Sequence, residues 1–394
     1  MRRIASRMSV MSGEGALSVF ARAKELEAQG RSIIHLELGE PDFHPGQSVI
    51  DSVTRALAEG KDRYCNVIGL PALREEIAAY LARTRSIRVS PDNIVVAPGC
   101  KIALFQSMMA LLEPGDEVLY PDPGFPGYAS ITLGFDAVPV PFTLSTRNNL
   151  QPDPNEVASK ITPRTRMLIT NSPGNPTGTV YTDEVQRELA ALAVKHDLWV
   201  LSDEIYARII YEGDYLSMLR YPGMAERTLI IDGFSKSFAM TGWRLGYTVA
   251  PPEVVPALNL MVVNTYTSVA EFTQYAAIDA LKDREGNTPR MVAEFARRRD
   301  QFARDLNRVP GFRCLPPQGA FYAWVDITGT GVSAEELCRI LLDDAGVAAI
   351  AGAAFGPAGK DFIRFSFASS MATLKEAVER IQKVSSAWQA TAVR

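Results

Sequence analysis

Apolar positions along the chain recur with two different periods. Residues 16–29, "ALSVFARAKELEAQ", repeat at helical spacing and stop at Gly30, which predicts a helix with a glycine end signal. "SIIHLEL" then reads as a short strand and "GEPDF" as a loop. Residues 47–60 and 71–84 read as amphipathic helices, the second opened by Pro71, whose fixed φ suits a first helical turn. From about residue 94 short apolar runs take over. "NIVVAPG", "DEVLYPDP", "RMLITNSPGNPTG", "LWVLSDEIY" and "TLIIDGFSKSF" each read as a strand running into a turn or loop. Helical stretches such as "CKIALFQSMMALL" and "DEVQRELAALAVKHD" separate them.

Apolar strands alternating with helices predict an α/β fold, a mostly parallel central sheet covered by helices on both faces. In such sheets ligands bind beyond the carboxyl ends of the strands, where the polar residues of interest here lie. After about residue 285 the pattern changes. A charged helix over 290–307 leads to "FRCLPPQGAFYAWVDI", a helix over 333–345, "DFIRFSFA" and a last helix from about 372. This stretch predicts a smaller α+β domain. The expected division is residues 46–284 as a large domain, 285–394 as a small one, and 1–45 as a segment joining the small domain.

Composition narrows the function. Among 394 residues, 41 basic and 45 acidic side chains give a net charge of −4, so nothing electrostatic favours nucleic acid or an anionic membrane as partner. No run has the length of a spanning helix, and the start "MRRIASRMSVMSGEG" lacks the apolar stretch of a signal peptide. Four dispersed cysteines without a CxxC pair, and three histidines without ligand spacing, indicate neither metal nor disulfides. The expectation is a cytoplasmic, metal-free protein.

Candidate chemistry centres on Lys236 in "FSKSFAMTGWRLGY". It follows an apolar run, between Phe234 and Phe238, and partial burial there would lower its pKa and make an amine nucleophile available. Asp203 ends the run "LWVL" and reads either as a helix N-cap or as a carboxylate facing a cationic ring nitrogen. Tyr206, three residues on, and Asn175 in "NSPGNPTG" could donate to a phenolate oxygen. Gly99, Cys100 and Lys101 stand at a strand-to-helix junction, where free N–H groups bind phosphate. Ser235 and Arg244 could add phosphate contacts, and Phe125 could be core or a flat face for a ring. Arg364 alternates with Ile363, Phe365 and Phe367 at strand period. It therefore points away from the apolar side, as a solvated arginine in the usual case or as a carboxylate fork in the other. Together these are the parts that pyridoxal phosphate requires: an amine, an acid, ring-oxygen donors, a stacking face, an anion cradle and a carboxylate fork.

Nine stretches in fixed order carry a resemblance, among them "LGEPDF", "RYCNVIGLPALREEIAAYL", "PGCKIALF", "NSPGNPTGTVY", "SDEIY" and "IRFSFA". From about residue 16 to 385 the chain resembles a fold-type-I, class I/II aminotransferase of the bacterial aspartate/aromatic branch. The resemblance implies pyridoxal phosphate bound covalently by Lys236, with Asp203 on the pyridine nitrogen and Tyr206 and Asn175 on the ring oxygen. It implies Phe125 as the stacking aromatic and Gly99, Cys100, Lys101, Ser235 and Arg244 around the phosphate. Tyr64 would reach the phosphate of a second subunit, which implies a homodimer. Arg364, with the Gly39 backbone and Asn175, would bind the substrate α-carboxylate. Cys100, Cys65 and Gly174 depart from the residues common in the family. The implied reaction is ping-pong transfer from an L-amino acid to a 2-oxo acid, with 2-oxoglutarate as acceptor. The competing readings are a C–S β-lyase using the same anchors and a non-catalytic ligand sensor on the same fold.

Overall fold

In the computed structural model the described residues are 4–283 and 286–389. The strands in chain order are β1 (Ile34–His35), β2 (Ile94–Ala97), β3 (Glu117–Asp122), β4 (Val138–Thr143), β5 (Thr165–Asn171), β6 (Trp199–Asp203) and β7 (Thr228–Gly233). They continue as β8 (Gly246–Val249), β9 (Arg313–Cys314), β10 (Tyr322–Asp326), β11 (Val347–Ala348), β12 (Ile350–Ala351) and β13 (Phe362–Ser366). The main helices of the first half are α1 (Gly15–Ala28), α2 (Gln47–Ala58), α3 (Pro71–Arg85), α4 (Cys100–Leu111), α5 (Gly127–Gly134), α6 (Pro154–Ser159) and α7 (Asp183–Lys195). Those of the second are α8 (Val255–Thr265), α9 (Glu271–Lys282), α10 (Asn287–Leu306), α11 (Ala334–Asp343) and α12 (Met371–Val384).

Seven strands form one sheet in the order β2-β8-β7-β6-β5-β3-β4. Every neighbouring pair is parallel except those of β8, which runs antiparallel to β2 and β7. The sheet is covered on both faces, and β2 and β7 are buried at every residue, which is why they read as unbroken apolar runs. At the edge, β4 carries Pro139 and Pro141; proline cannot donate to a ladder, so an edge position is where it is tolerated. Those prolines also conceal β4 from a search for apolar runs.

A second, antiparallel sheet has the order β12-β13-β10-β9. Phe295, Phe302, Phe321, Phe365, Phe367 and Ile381 pack beneath it. β1 pairs in parallel with β11, Ile34 opposite Val347, so the early chain is fastened to late sequence. The predicted strand "SIIHLEL" is thus two residues of pairing. Side-chain caps fix several helix starts: Thr182 accepts from the Val185 N–H, Ser333 from Glu336 and Ser370 from Thr373. The expected domain boundary at 284/285 falls outside the described residues.

Candidate active site

Three adjacent parallel strands, β5, β6 and β7, deliver the centre of the site at their carboxyl ends. Asn171 closes β5, Asp203 closes β6, and Lys236 follows β7 by three residues. Lys236 Nζ donates to the Gly39 carbonyl. Burial pushes its ammonium down to about 8, because desolvation penalises the charged form.

Asp203 shows the opposite displacement. Burial pushes its carboxyl up to about 6, against hydrogen bonds that favour the ionised form. Tyr128 Oη donates to Asp203 Oδ2 at 2.7 Å, and the Ile205 N–H donates to Oδ1 at 3.3 Å. The helix N-cap reading fails: the chain after Asp203 enters a turn and no helix begins there. Tyr206 is buried with its hydroxyl 2.7 Å from that of Tyr322, and burial raises its pKa well above the ordinary tyrosine value.

Of the two readings left open for Arg364, the structure rules out the solvated side chain. The residue is 3% exposed. β13 lies between β12 and β10, with Trp324 opposite Arg364 in register, and its successive residues 363–366 are all buried, so both faces are covered. Its Nη1 donates to Asn175 Oδ1 at 2.9 Å and its Nη2 to the Glu37 carbonyl. The guanidinium lies 4.4 Å from the Tyr322 ring centre and 4.8 Å from that of Phe355. Its Nε is buried without a partner, and burial lowers its pKa. Such a cation is poised for an incoming anion.

At the other end Gly99 opens α4 with φ +92, and a Cβ there would come within 2.5 Å of Arg244 Nη2. The absent side chain keeps the guanidinium against the helix start, where the N–H groups of Cys100 and Lys101 have no intrahelical acceptor. Arg244 itself donates to the Thr241 carbonyl at 3.0 Å. Cys100 packs its sulfur over Gly233 and Gly246, and burial raises its thiol well above the ordinary value, so it is an unreactive filler. The ammonium of Lys101 pairs with Glu14 and lies 5.8 Å from the Phe125 ring centre. Phe125 meets Tyr128 edge-on at 5.5 Å.

One cavity of about 280 Å³ brings together Gly39, Cys100, Lys101, Phe125, Asn175, Asp203, Tyr206, Ser235, Lys236, Arg244 and Arg364. Gly99 borders it through Arg244. Tyr64 does not line it; its side chain is 84% exposed. Sequence reasoning missed Glu14, Leu17, Leu104, Tyr128, Asn171 and Tyr322, which also line the cavity. Tyr128 had a signal, three residues after Phe125 in "PGFPGY", a spacing that puts both on one side of a helical turn. Tyr322 lies within the quoted "FRCLPPQGAFYAWVDI", directly after Phe321. Glu14 gave none.

These residues fit pyridoxal phosphate. The glycine-lined helix start with an adjacent guanidinium suits a phosphate. A buried carboxylate with raised proton affinity suits a protonated ring nitrogen, and a desolvated amine suits an aldehyde. Together the fold and cavity define a pyridoxal-phosphate-dependent transferase of fold type I. The sequence profile described as aminotransferase class I and II matches residues 31–381, and the chain belongs to that family. It is 37% identical to an aspartate aminotransferase of Pyrococcus horikoshii, covering 96% of both chains. It is 38% identical to an aspartate/prephenate aminotransferase of Thermus thermophilus, covering 98% of this chain and 99% of the relative. The structure of Thermus thermophilus aspartate aminotransferase with maleate superposes with a TM-score of 0.92 at 37% identity, covering 98% of this chain and 100% of that one. The chain is therefore an aminotransferase that uses pyridoxal phosphate, with amino acids and 2-oxo acids as its substrates. Among the described residues no helix is long and apolar enough to cross a membrane.

Proposed function

We propose that the enzyme carries an amino group from an L-amino acid to 2-oxoglutarate in a ping-pong cycle. The names of the relatives favour aspartate as donor. The observation that carries the residue roles is the convergence of Lys236, Asp203 and Arg364 on one cavity.

Arg364 binds the substrate α-carboxylate in a planar fork, with Asn175 and the Gly39 backbone beside it. Lys236 holds the cofactor aldehyde through Nζ and, when released, takes the proton that leaves the substrate α-carbon. With its pKa near 8, roughly a tenth of the free amine is neutral at pH 7. Bound pyridoxal phosphate supplies the sink for the electron pair left on that carbon. Asp203 keeps the ring nitrogen protonated, and Tyr128 keeps Asp203 oriented. Tyr206 and Asn175 hold the ring oxygen, and Phe125 stacks on the ring. Gly99, Cys100, Lys101, Ser235 and Arg244 hold the phosphate.

The enzyme works as a homodimer in the cytoplasm. Tyr64 reaches the phosphate of the second copy, which accounts for a tyrosine left 84% exposed on one chain. Ile102, Phe105 and Met109 form an exposed apolar stripe on α4, beside the site, where a second copy would cover them. The cysteines are all free, in keeping with a reducing compartment. Residues 46–284 form the cofactor-binding domain and 285–394 the small domain, which residues 1–45 join; the β1–β11 pair supports this.

Incubation with aspartate alone, followed by absorbance, tests the reaction: the cofactor should pass to its amine form and return on adding 2-oxoglutarate. A donor screen against 2-oxoglutarate and pyruvate tests the choice of acceptor. Regeneration by pyruvate but not by 2-oxoglutarate would refute that choice.

A further inference from the structure

Behind the cavity, and outside it, lies a buried cluster of charges that the residue roles above do not use. Arg85, the last residue of α3, is 1% exposed at its side chain and sits between two carboxylates. It donates through Nη1 to Glu204 Oε2 at 2.5 Å and through Nη2 to Asp232 Oδ2. Its guanidinium lies 5.6 Å from the ring centre of Tyr215. Glu204 also accepts from Ser217 Oγ at 2.7 Å and from the Met218 N–H at 3.3 Å. Asp232 accepts from Tyr247 Oη at 2.8 Å and from the Gly233 N–H at 2.6 Å.

The location is informative. Glu204 is the residue after Asp203, and Asp232 stands four residues before Lys236. The Glu204 N–H donates to the Ile231 carbonyl at 2.9 Å, so β6 and β7 are still joined where Arg85 spans them. Apolar residues of similar volume would stabilise such an interior as well or better, because desolvating three charges is costly. Stability alone therefore does not account for the cluster. What a guanidinium fork adds is a fixed spacing between two strand ends, together with an uncompensated negative charge beside Asp203.

We propose that Arg85 is a positioning residue for transamination. Through Glu204 and Asp232 it fixes the end of β6 relative to the end of β7, and the triad's net charge of −1 favours the protonated state of the lysine–cofactor linkage and of the ring. This rests on the roles of Lys236 and Asp203 proposed above. The titratable groups facing Asp203 are Tyr128 from α5, Tyr206 and Glu204 from its own turn, and Cys100 from α4. Asp232 from β7 and Tyr322 from β10 face it too, and Lys236 itself faces Cys100, Arg364 from β13, and Glu14 and Glu40 from the early chain. Of these, only Glu204 and Asp232 share the Arg85 fork.

The test uses holoenzyme and the pH titration of the visible absorbance band of the lysine-bound cofactor. Glu204→Gln and Asp232→Asn each remove a negative charge and should lower the midpoint by about half a pH unit or more. Arg85→Lys keeps the charge but cannot bridge both carboxylates. It should leave the midpoint in place and lower kcat about tenfold with little change in KM, a loss of alignment in the chemical step. Lower melting temperatures with unmoved midpoints and parental kcat would make the cluster merely structural and overturn the proposal. If instead Lys236→Ala kept the band, the site reading itself would fall, whatever the other variants do.

Discussion

The guanidinium of Arg364 donates to the side-chain oxygen of Asn175 across 2.9 Å, joining residues 189 positions apart in the chain. Arg364 Nε is buried and unpartnered, and the residue lines the cavity. Arg364→Ala should raise KM for every amino donor and lower kcat/KM at least about a hundredfold, as expected for loss of a desolvated charge contact. Arg364→Lys should recover only part of this, since an ammonium lacks the planar fork. Steady-state kinetics with two donors of different side chain checks both. An effect on one donor alone would mean that Arg364 reads the side chain.

Lys236→Ala should yield a folded protein without the yellow absorbance of the lysine-bound cofactor. Its turnover should fall by at least about a thousandfold, the upper range for loss of a positioned proton-transfer group. Spectra and single-turnover assays of the purified variant decide the point.

Asp203 carries a pH dependence whose sign follows from its displacement. Its carboxyl is raised from 3.8 to about 6 in the folded chain, so the fold prefers it protonated. Ionisation therefore costs cofactor-free protein stability. The cost is absent below pH 3.8, grows between 3.8 and about 6, and is complete above that. Asp203→Asn should stabilise the cofactor-free protein at pH 7.5 by up to roughly 3 kcal/mol, with little gain at pH 4. The same variant should be nearly inactive. Denaturant melts at the two pH values, run without cofactor, measure the difference.

Gly99→Ala places a Cβ within 2.5 Å of Arg244 Nη2 at a φ of +92. The guanidinium must move and the backbone is strained. Cofactor affinity should fall by about tenfold or more, while turnover at saturating pyridoxal phosphate falls less. Equilibrium dialysis against pyridoxal phosphate reads this directly.

Phe105→Glu, in the exposed stripe of α4, should shift the protein to monomer in sedimentation and abolish activity with it. Tyr64→Phe should leave the assembly intact and weaken cofactor retention. A dimer unaffected by Phe105→Glu would place the partner surface elsewhere.

The parallel strands β3, β5, β6 and β7 were legible because burial makes them nearly continuous apolar runs, whereas the edge strand β4 was hidden by its prolines. β8 was not legible either: its antiparallel course depends on pairing with β2 and β7, which no local pattern encodes. Lys236, Asp203, Asn175 and Arg244 were legible because each sits in a short segment with its own turn chemistry. The burial of Arg364 was hidden, since period-two alternation says which side a residue faces but not that the other side is also covered. Glu14 and Tyr322 reach the cavity from opposite ends of the chain, and only tertiary folding brings them there. Tyr128 lay in plain view, but its partner Asp203 is 75 residues away.

The union of β1 with late sequence has a consequence for biosynthesis. The Glu37 carbonyl and Arg364 meet across 327 residues, whereas Gly99, Asn175, Asp203 and Lys236 all emerge from the ribosome well before β13. The residues proposed to hold the coenzyme are thus all synthesised before Arg364, the proposed fork for the substrate carboxylate. A chain that ends before β13 lacks Arg364, and with it the guanidinium that Asn175 and the Glu37 carbonyl hold in the cavity.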